Sequence, residues 1–212
     1  MSKSEPGSDK KVQILNAASE LLRRDGVQSL SFENVANEAN LSRQLIRYYF
    51  ADLDALIVDL CDHLAAGYRD ILIAGVVNVG QVERLKFFLD FFFDLAEEHP
   101  MPLNLEVYDS MVAYAVGSDR LKERMCNQYN VLGQVMVHEL AIAHPDMEKA
   151  ACEELSFLFV SMMHSHWSFV ASLGYSRAHS RLTRKAVDRL IKSYLAEPEF
   201  VPAMKKPWSR GD

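Results

Sequence analysis

Residues 31–50 read SFENVANEANLSRQLIRYYF, and this stretch decides the fold. Ser31 and Ser42 each stand just before a short apolar-periodic segment. A hydroxyl there accepts from backbone N–H groups that the first helical turn leaves unpaired. The spacing predicts one helix over 32–39 and a second over 43–49, joined by a turn at Ala39-Asn40-Leu41. Two helices crossing so closely need small residues at the contact, and Ala36 and Ala39 supply them. Phe32, Val35, Leu41, Ile46 and Phe50 form the apolar clasp. The sharp reversal calls for one residue at positive φ, and Asn40 is among the few non-glycine residues that tolerate it.

The second helix carries Arg43, Gln44, Arg47 and Tyr48 towards its N-terminal half. That end enters the major groove in helix-turn-helix proteins. Arginine can bridge guanine O6 and N7, and glutamine can bridge adenine N6 and N7. Tyr48 and Tyr49 can donate to phosphate, as can Ser31 and Ser42 through hydroxyl and cap N–H groups.

Working outward, Val12, Leu15, Ala18, Leu21 and Leu22 recur at helical steps from Asp9, and Arg23, Arg24 and Gly26 form a stop signal. Asp52 can cap a fourth helix running past Leu56, Leu60 and Leu64 into the 70s. Further helices are expected over 81–98, 102–116, 119–144, 147–173 and 178–196. Gly80, His99-Pro100, Gly117-Ser118, His144-Pro145 and Gly174 separate them. No two-residue alternation stands out, so the expected class is all-α: a three-helix head and a six-helix body. The corresponding division is a flexible arm at 1–8, a DNA-binding domain at 9–51, a ligand-binding and dimerisation domain at 52–196, and an irregular tail at 197–212. That tail, EPEFVPAMKKPWSRGD, holds three prolines.

Of the 212 residues 49% are hydrophobic and 25% charged, an ordinary balance for a globular chain. Net charge is −6, and residues 1–60 hold seven Lys/Arg against nine Asp/Glu, so phosphate would be met by a local patch rather than a basic domain. Three scattered cysteines argue for a reducing compartment and against a disulfide framework. The polar start MSKSEPGSDKK has no apolar core of a signal peptide, and no run of about 20 apolar residues occurs, so no membrane association is expected and the cytoplasm is the expected location.

Residues 12–60 resemble the DNA-binding head of the tetracycline-repressor (TetR) family. The carriers are the Ala17-Ala18 pair of the first helix, Gly26, the Ser-capped second helix, Ala39-Asn40-Leu41-Ser42, the Tyr48-Tyr49-Phe50 end and the acidic-x-acidic-Ala-Leu opening at 52–56. The resemblance covers about a quarter of the chain. It implies an all-α, nine-helix transcriptional regulator of bacterial type, mostly repressive. It also implies a homodimer built from the last two long helices, double-stranded DNA as partner, and an unknown small-molecule effector held in the body. The family's DNA-facing positions fall on Ser31, Ser42, Arg43, Gln44, Leu45, Arg47, Tyr48 and Tyr49. Three positions depart from its pattern. Asn40 stands where glycine is usual, and Leu45 where threonine is usual, which trades a polar contact for a possible thymine-methyl contact. Leu53 stands where a phosphate-binding lysine is usual, which implies weaker and less salt-sensitive binding.

The body is rich in aromatic residues and methionine. Phe88, Phe92, Tyr108, Asp109, Met111, Tyr129, Met163 and Trp167 are candidate pocket residues, with simple core packing the alternative. Asp90, Asp94, Glu106 and Asp109 interrupt apolar stretches. Beside aromatic rings such a carboxylate suits a cationic ligand, whereas on a solvated face it does nothing special. Residues 156–195 resemble the C-terminal domain of choline-responsive regulators of betaine synthesis (BetI-like) through HSHWSFVASL and RKAVDRLIKSYL. Leu158, Met162, His166, Val170, Leu182, Ala186 and Leu190 form candidate dimer faces.

No catalytic motif is expected. His138-Glu139 lacks a second histidine four residues after the first, since residue 142 is isoleucine, and His164 and His166 point to different sides of a helix. No metal or cofactor site follows. The alternative function is an all-α carrier or enzyme with a vestigial helix-turn-helix.

Overall fold

The computed structural model describes residues 6–80, 83–102, 104–196 and 200–210. The described residues contain helices and no strand, as the absent alternation implied. The helices are α1 (Pro6–Asp25), α2 (Phe32–Ala39), α3 (Arg43–Tyr49), α4 (Leu53–Asn78), α5 (Arg84–Phe91), α6 (Leu105–Ala115), α7 (Asp119–Ala143), α8 (Lys149–Trp167) and α9 (His179–Leu195). A short 3-10 turn spans Val27–Ser29 and a π-helical turn spans Ser168–Ser172. No helix among the described residues is long and apolar enough to cross a membrane.

Two compact units form, Met1–Gly67 with Leu103–Met125, and Tyr68–Pro102 with Cys126–Asp212. Long helices α4 and α7 supply residues to both.

In the first unit α1 packs on α2 and α6, and α2 packs on α3. Its core holds Ile14, Ala18, Val35, Ile46, Leu56, Leu60 and Leu121, all with no exposed surface or nearly none. Of the predicted steps of α1, Leu15, Ala18, Leu21 and Leu22 are buried alongside Ile14, whereas Val12 is 39% exposed. Gly26 has φ 75°, a backbone that L side chains rarely adopt, and it stops α1 as its position beyond Arg24 predicted. The helix begins at Pro6, ahead of the expected start at Asp9; residues 1–5 of the expected arm lie outside the described residues.

In the second unit α5 is shorter than the predicted helix over 81–98, whose first two residues lie outside the described ones. It stops at Phe91 because Asp94 adopts a left-handed backbone, φ 55°. The Leu95 N–H then bonds back to the Asp90 carbonyl at 2.9 Å, so the chain turns without needing the His99-Pro100 break. The predicted helix over 147–173 is α8 plus the π turn. Phe88, Phe91, Phe92, Phe93 and Phe159 stack edge-on around α5 and α8 and make the centre of this unit.

The tail is irregular in backbone over 200–210, yet it is docked. The Trp208 indole N–H donates to Ser156 Oγ at 2.8 Å and its ring meets Phe157. Its six-membered ring occupies the space where a Cβ on Gly133 would stand. Buried Glu154 accepts from the Met204 backbone N–H at 2.9 Å and the Tyr194 hydroxyl at 3.1 Å.

Candidate nucleic-acid interface

The α2–α3 pair is built from its caps inward. Ser31 Oγ accepts from the Asn34 N–H at 3.1 Å, and Ser42 Oγ accepts from the Leu45 N–H at 3.2 Å. Between them Asn40 takes φ 53°, the positive angle expected of it. The Leu41 N–H closes back onto the Ala36 carbonyl at 2.9 Å, so α2 ends in a Schellman-type turn. Of the predicted clasp Val35, Ile46 and Phe50 are buried, together with the small contact residues Ala36 and Ala39. Phe32 and Leu41 are half-buried at its edge.

This packing leaves the other side of α3 open. Arg43, Gln44, Arg47 and Tyr48 are exposed, Tyr48 to 80%, while Leu45 and Tyr49 are half-buried. Tyr48 stands edge-on to Tyr49.

Charge pairing separates these arginines from the other arginines of the head. Arg23 binds Glu20. Arg24 binds Asp25 and Glu38 at 2.9 and 3.0 Å. Lys11 binds Asp59 at 2.7 Å. Neither Arg43 nor Arg47 has a carboxylate partner among the described residues. A unit that is not basic overall thus concentrates its unneutralised guanidinium charge on one short helix.

The start of α4 follows a different logic. Asp52 Oδ1 accepts from the Ala55 N–H at 2.6 Å, the predicted cap. Leu53 is half-buried. Arg120 of α7 lies 3.4 Å from both Asp52 and Asp54, and Ser118 donates to Asp54. These residues are 64 and more positions apart in sequence, so nothing local announced the cluster.

A model of the bacterial regulatory proteins of the tetR family matches residues 14–60, which span α1, α2, α3 and the opening of α4. Over these residues the chain is similar to the DNA-binding head of the TetR family. Its fold is that of TetR-family transcriptional regulators, and solved structures resemble it over most of their length. One described as a TetR transcription regulator from Haloarcula marismortui is 17% identical, with TM-score 0.75, covering 88% of this chain and 98% of that one. A protein described as a transcriptional regulator from Saccharomonospora viridis, in complex with choline, is 15% identical with TM-score 0.71, covering 87% and 96%. A TetR-family regulator from Cytophaga hutchinsonii is 14% identical with TM-score 0.72, covering 91% and 98%. Among curated proteins no sequence is similar to it.

The candidate pocket residues fall in both units. Met111 is buried in the first, with Tyr108 and Asp109 half-buried there. Phe88, Phe92, Met163 and Trp167 are buried in the second, and Tyr129 is half-buried. The Trp167 indole N–H donates to the Phe92 carbonyl at 2.8 Å, and the Tyr129 hydroxyl lies 3.0 Å from His164 Nδ1. Asp90 and Asp94, which interrupt apolar stretches, have cationic partners within the chain. Asp90 binds Arg184 at 2.8 Å and Lys86 at 2.5 Å, and Asp94 binds Arg177. Arg177 also sits over the Trp167 ring at 5.9 Å. These carboxylates were placed among aromatic residues by sequence, but their charge is spent on the protein's own cations.

Glu139 and His166 are likewise engaged. Glu139 is buried against Arg84 at 2.5 Å. His166 is buried, with Ser180 Oγ at 3.2 Å from Nε2 and Thr183 Oγ1 at 3.1 Å from Nδ1. Burial, with His179 nearby, holds its pKa below the ordinary histidine value. No three His, Cys, Asp or Glu residues converge as a metal site among the described residues.

Of the candidate dimer residues, Leu158 and Leu182 are exposed, and Met162, Ala186 and Leu190 are half-buried. His166 and Val170 are buried, lining with Met162, Phe169 and Tyr175 a groove of about 420 Å³ between α8 and α9.

Proposed function

We propose that this chain is a TetR-family, ligand-responsive transcriptional regulator, acting as a repressor, that binds a palindromic operator as a homodimer. The observation that carries the DNA-binding part is the pair of exposed, unneutralised arginines on α3, beside Gln44 and Tyr48. Arg43, Gln44 and Arg47 read bases, Leu45 meets a thymine methyl, and Ser31, Ser42, Tyr48 and Tyr49 hold phosphates. The functional division stays at 9–51 for DNA and 52–196 for ligand and dimer.

Self-association is supported by the apolar surface left along α8, the π turn and α9. Phe169 is 51% exposed and Leu182 61%, next to Leu158, Met162, Ala186 and Leu190. Exposed apolar area of this kind on helices marks an interface. Two recognition helices then meet successive major grooves about 34–36 Å apart.

We place the effector at the aromatic cluster of the second unit, Phe88, Phe92, Tyr129, Met163 and Trp167, with Tyr108, Asp109 and Met111 the candidates of the first. The choline complex of the Saccharomonospora viridis relative makes choline the first compound to try. A ligand that favours one head spacing weakens or strengthens operator binding by its differential affinity.

The experiment is selection of DNA from a random library by the purified protein at low salt. The expected result is an enriched palindrome with half-sites about one helical turn apart, whose binding changes on adding choline. Failure to enrich any sequence would overturn the DNA-binding reading. Enrichment that no metabolite alters would overturn the effector alone.

A further inference from the structure

Recognition helix α3 has seven residues, of which only Ile46 is fully buried. Helices so short are marginal by themselves, and their direction is set by what holds them. At 1.5 Å per residue α3 is roughly 10 Å long, so a tilt of about 10° about Ile46 moves each end by roughly 1 Å. Bidentate contacts to base edges do not survive such a displacement. What fixes the two ends therefore matters.

Both ends are held by residues of α1, Gln13 and Lys11. On the near side, the Gln13 side-chain amide donates to the Ala39 carbonyl at 2.8 Å. Ala39 is the last residue of α2, directly before Asn40 and the Ser42 cap, and its carbonyl is one that the helix itself leaves unpaired. Lys10 donates to Gln13 Oε1 at 3.0 Å, which orients the amide. On the far side, the Lys11 ammonium lies 5.7 Å over the Phe50 ring, and Phe50 closes α3 through its N–H to the Ile46 carbonyl at 2.9 Å. The same ammonium binds Asp59 of α4 at 2.7 Å.

We propose that Gln13 and Lys11 are positioning residues for DNA reading: they clamp the turn before α3 and the aromatic stop after it, and so fix the angle at which Arg43, Gln44 and Arg47 are presented. This rests on the DNA-binding reading of α3. Both act through α3, by their contacts to Ala39 and Phe50. The clamp serves discrimination between sequences more than affinity for phosphate.

Two variants test it on the operator selected by the unaltered protein, well below the melting temperature and at fixed salt. Gln13→Met keeps the length and removes the donor. Lys11→Met keeps the stem and removes the charge. Each is expected to lower the ratio of specific to non-specific affinity by about tenfold, with non-specific affinity within about twofold and the slope against salt unchanged. A ratio unchanged in Gln13→Met overturns the clamp while the DNA-binding reading stands. A salt slope reduced by about one per protomer in Lys11→Met makes Lys11 a phosphate contact and overturns its positioning role. If the unaltered protein selects no DNA, the reading beneath has failed, and amide exchange decides the geometry. Faster exchange at Leu41 in Gln13→Met supports the clamp on the turn, and unchanged exchange removes it.

Discussion

Asn40 shows how much one backbone angle carries. Its φ of 53° lets α2 stop and α3 start within three residues. Glycine adopts that angle at no steric cost, whereas a Cβ without a compensating polar side chain costs about 1–2 kcal/mol there. Asn40→Gly is therefore expected to leave thermal stability nearly unchanged. Asn40→Ala should lower it by about 1 kcal/mol, measured by denaturant melts; equal stability of the two would show that the turn does not depend on this angle. Arg47 has no partner to lose among the described residues, so its removal should be silent for folding. Arg47→Ala should nonetheless cost about 1–3 kcal/mol in operator affinity and relax preference at one base pair. Unchanged affinity and unchanged preference would remove Arg47 from the reading set.

Elements are stabilised by links that join distant parts of the chain. The tail crosses α8 through Glu154, Ser156 and Phe157 and ends with Trp208 in the notch left by Gly133. A side chain at 133 must expel that ring. Gly133→Val is expected to free the tail, so that trypsin cuts after Lys205 many times faster than in the parent while α-helical content stays the same. Equal cleavage rates would mean that the notch does not hold the tail. His166 ties α8 to α9 through Ser180 and Thr183. Its folded pKa is depressed by burial and by His179, from an ordinary value of 6.5. Protonation is then easier in the unfolded chain. The contribution is complete above about pH 6.5 and drains as the pH falls below it, until the buried ring itself takes a proton. Stability measured from pH 7.5 to 5 should fall more steeply in the parent than in His166→Gln. Parallel curves would exclude this histidine as the source.

For the whole molecule the decisive quantity is its association state. Unit two exposes Leu158, Phe169 and Leu182 along α8, the π turn and α9, in addition to the groove beside His166. A charge in that surface cannot be buried unpaired. Leu182→Glu, at a position 61% exposed and so harmless to the folded protomer, is expected to convert a dimer to a monomer in sedimentation velocity. The monomer should bind a half-site weakly and lose the full operator. A parent already monomeric at micromolar concentration, or a variant still dimeric, would move the interface elsewhere.

How much was legible in the sequence depended on the range of the interaction. The caps at Ser31, Ser42 and Asp52, the positive φ of Asn40, the bounds of α2 and α3 and the exposed side of α3 all follow from residues within four or five positions of one another. Hydrogen-bond geometry and helical periodicity act at that distance, so the sequence alone determined the helix-turn-helix and the all-α class. The early stop of α5 at Phe91 was not legible because only the local backbone angle of Asp94, not a glycine or proline, causes it. Tertiary structure decided the rest. Gln13 meets Ala39 across 26 positions, Arg120 meets Asp52 across 68, Trp208 meets Ser156 across 52, and Arg184 meets Asp90 across 94. Each pair exists only because packed helices bring its members together, and a charge or a polar group carries no mark in the sequence of the partner it will find.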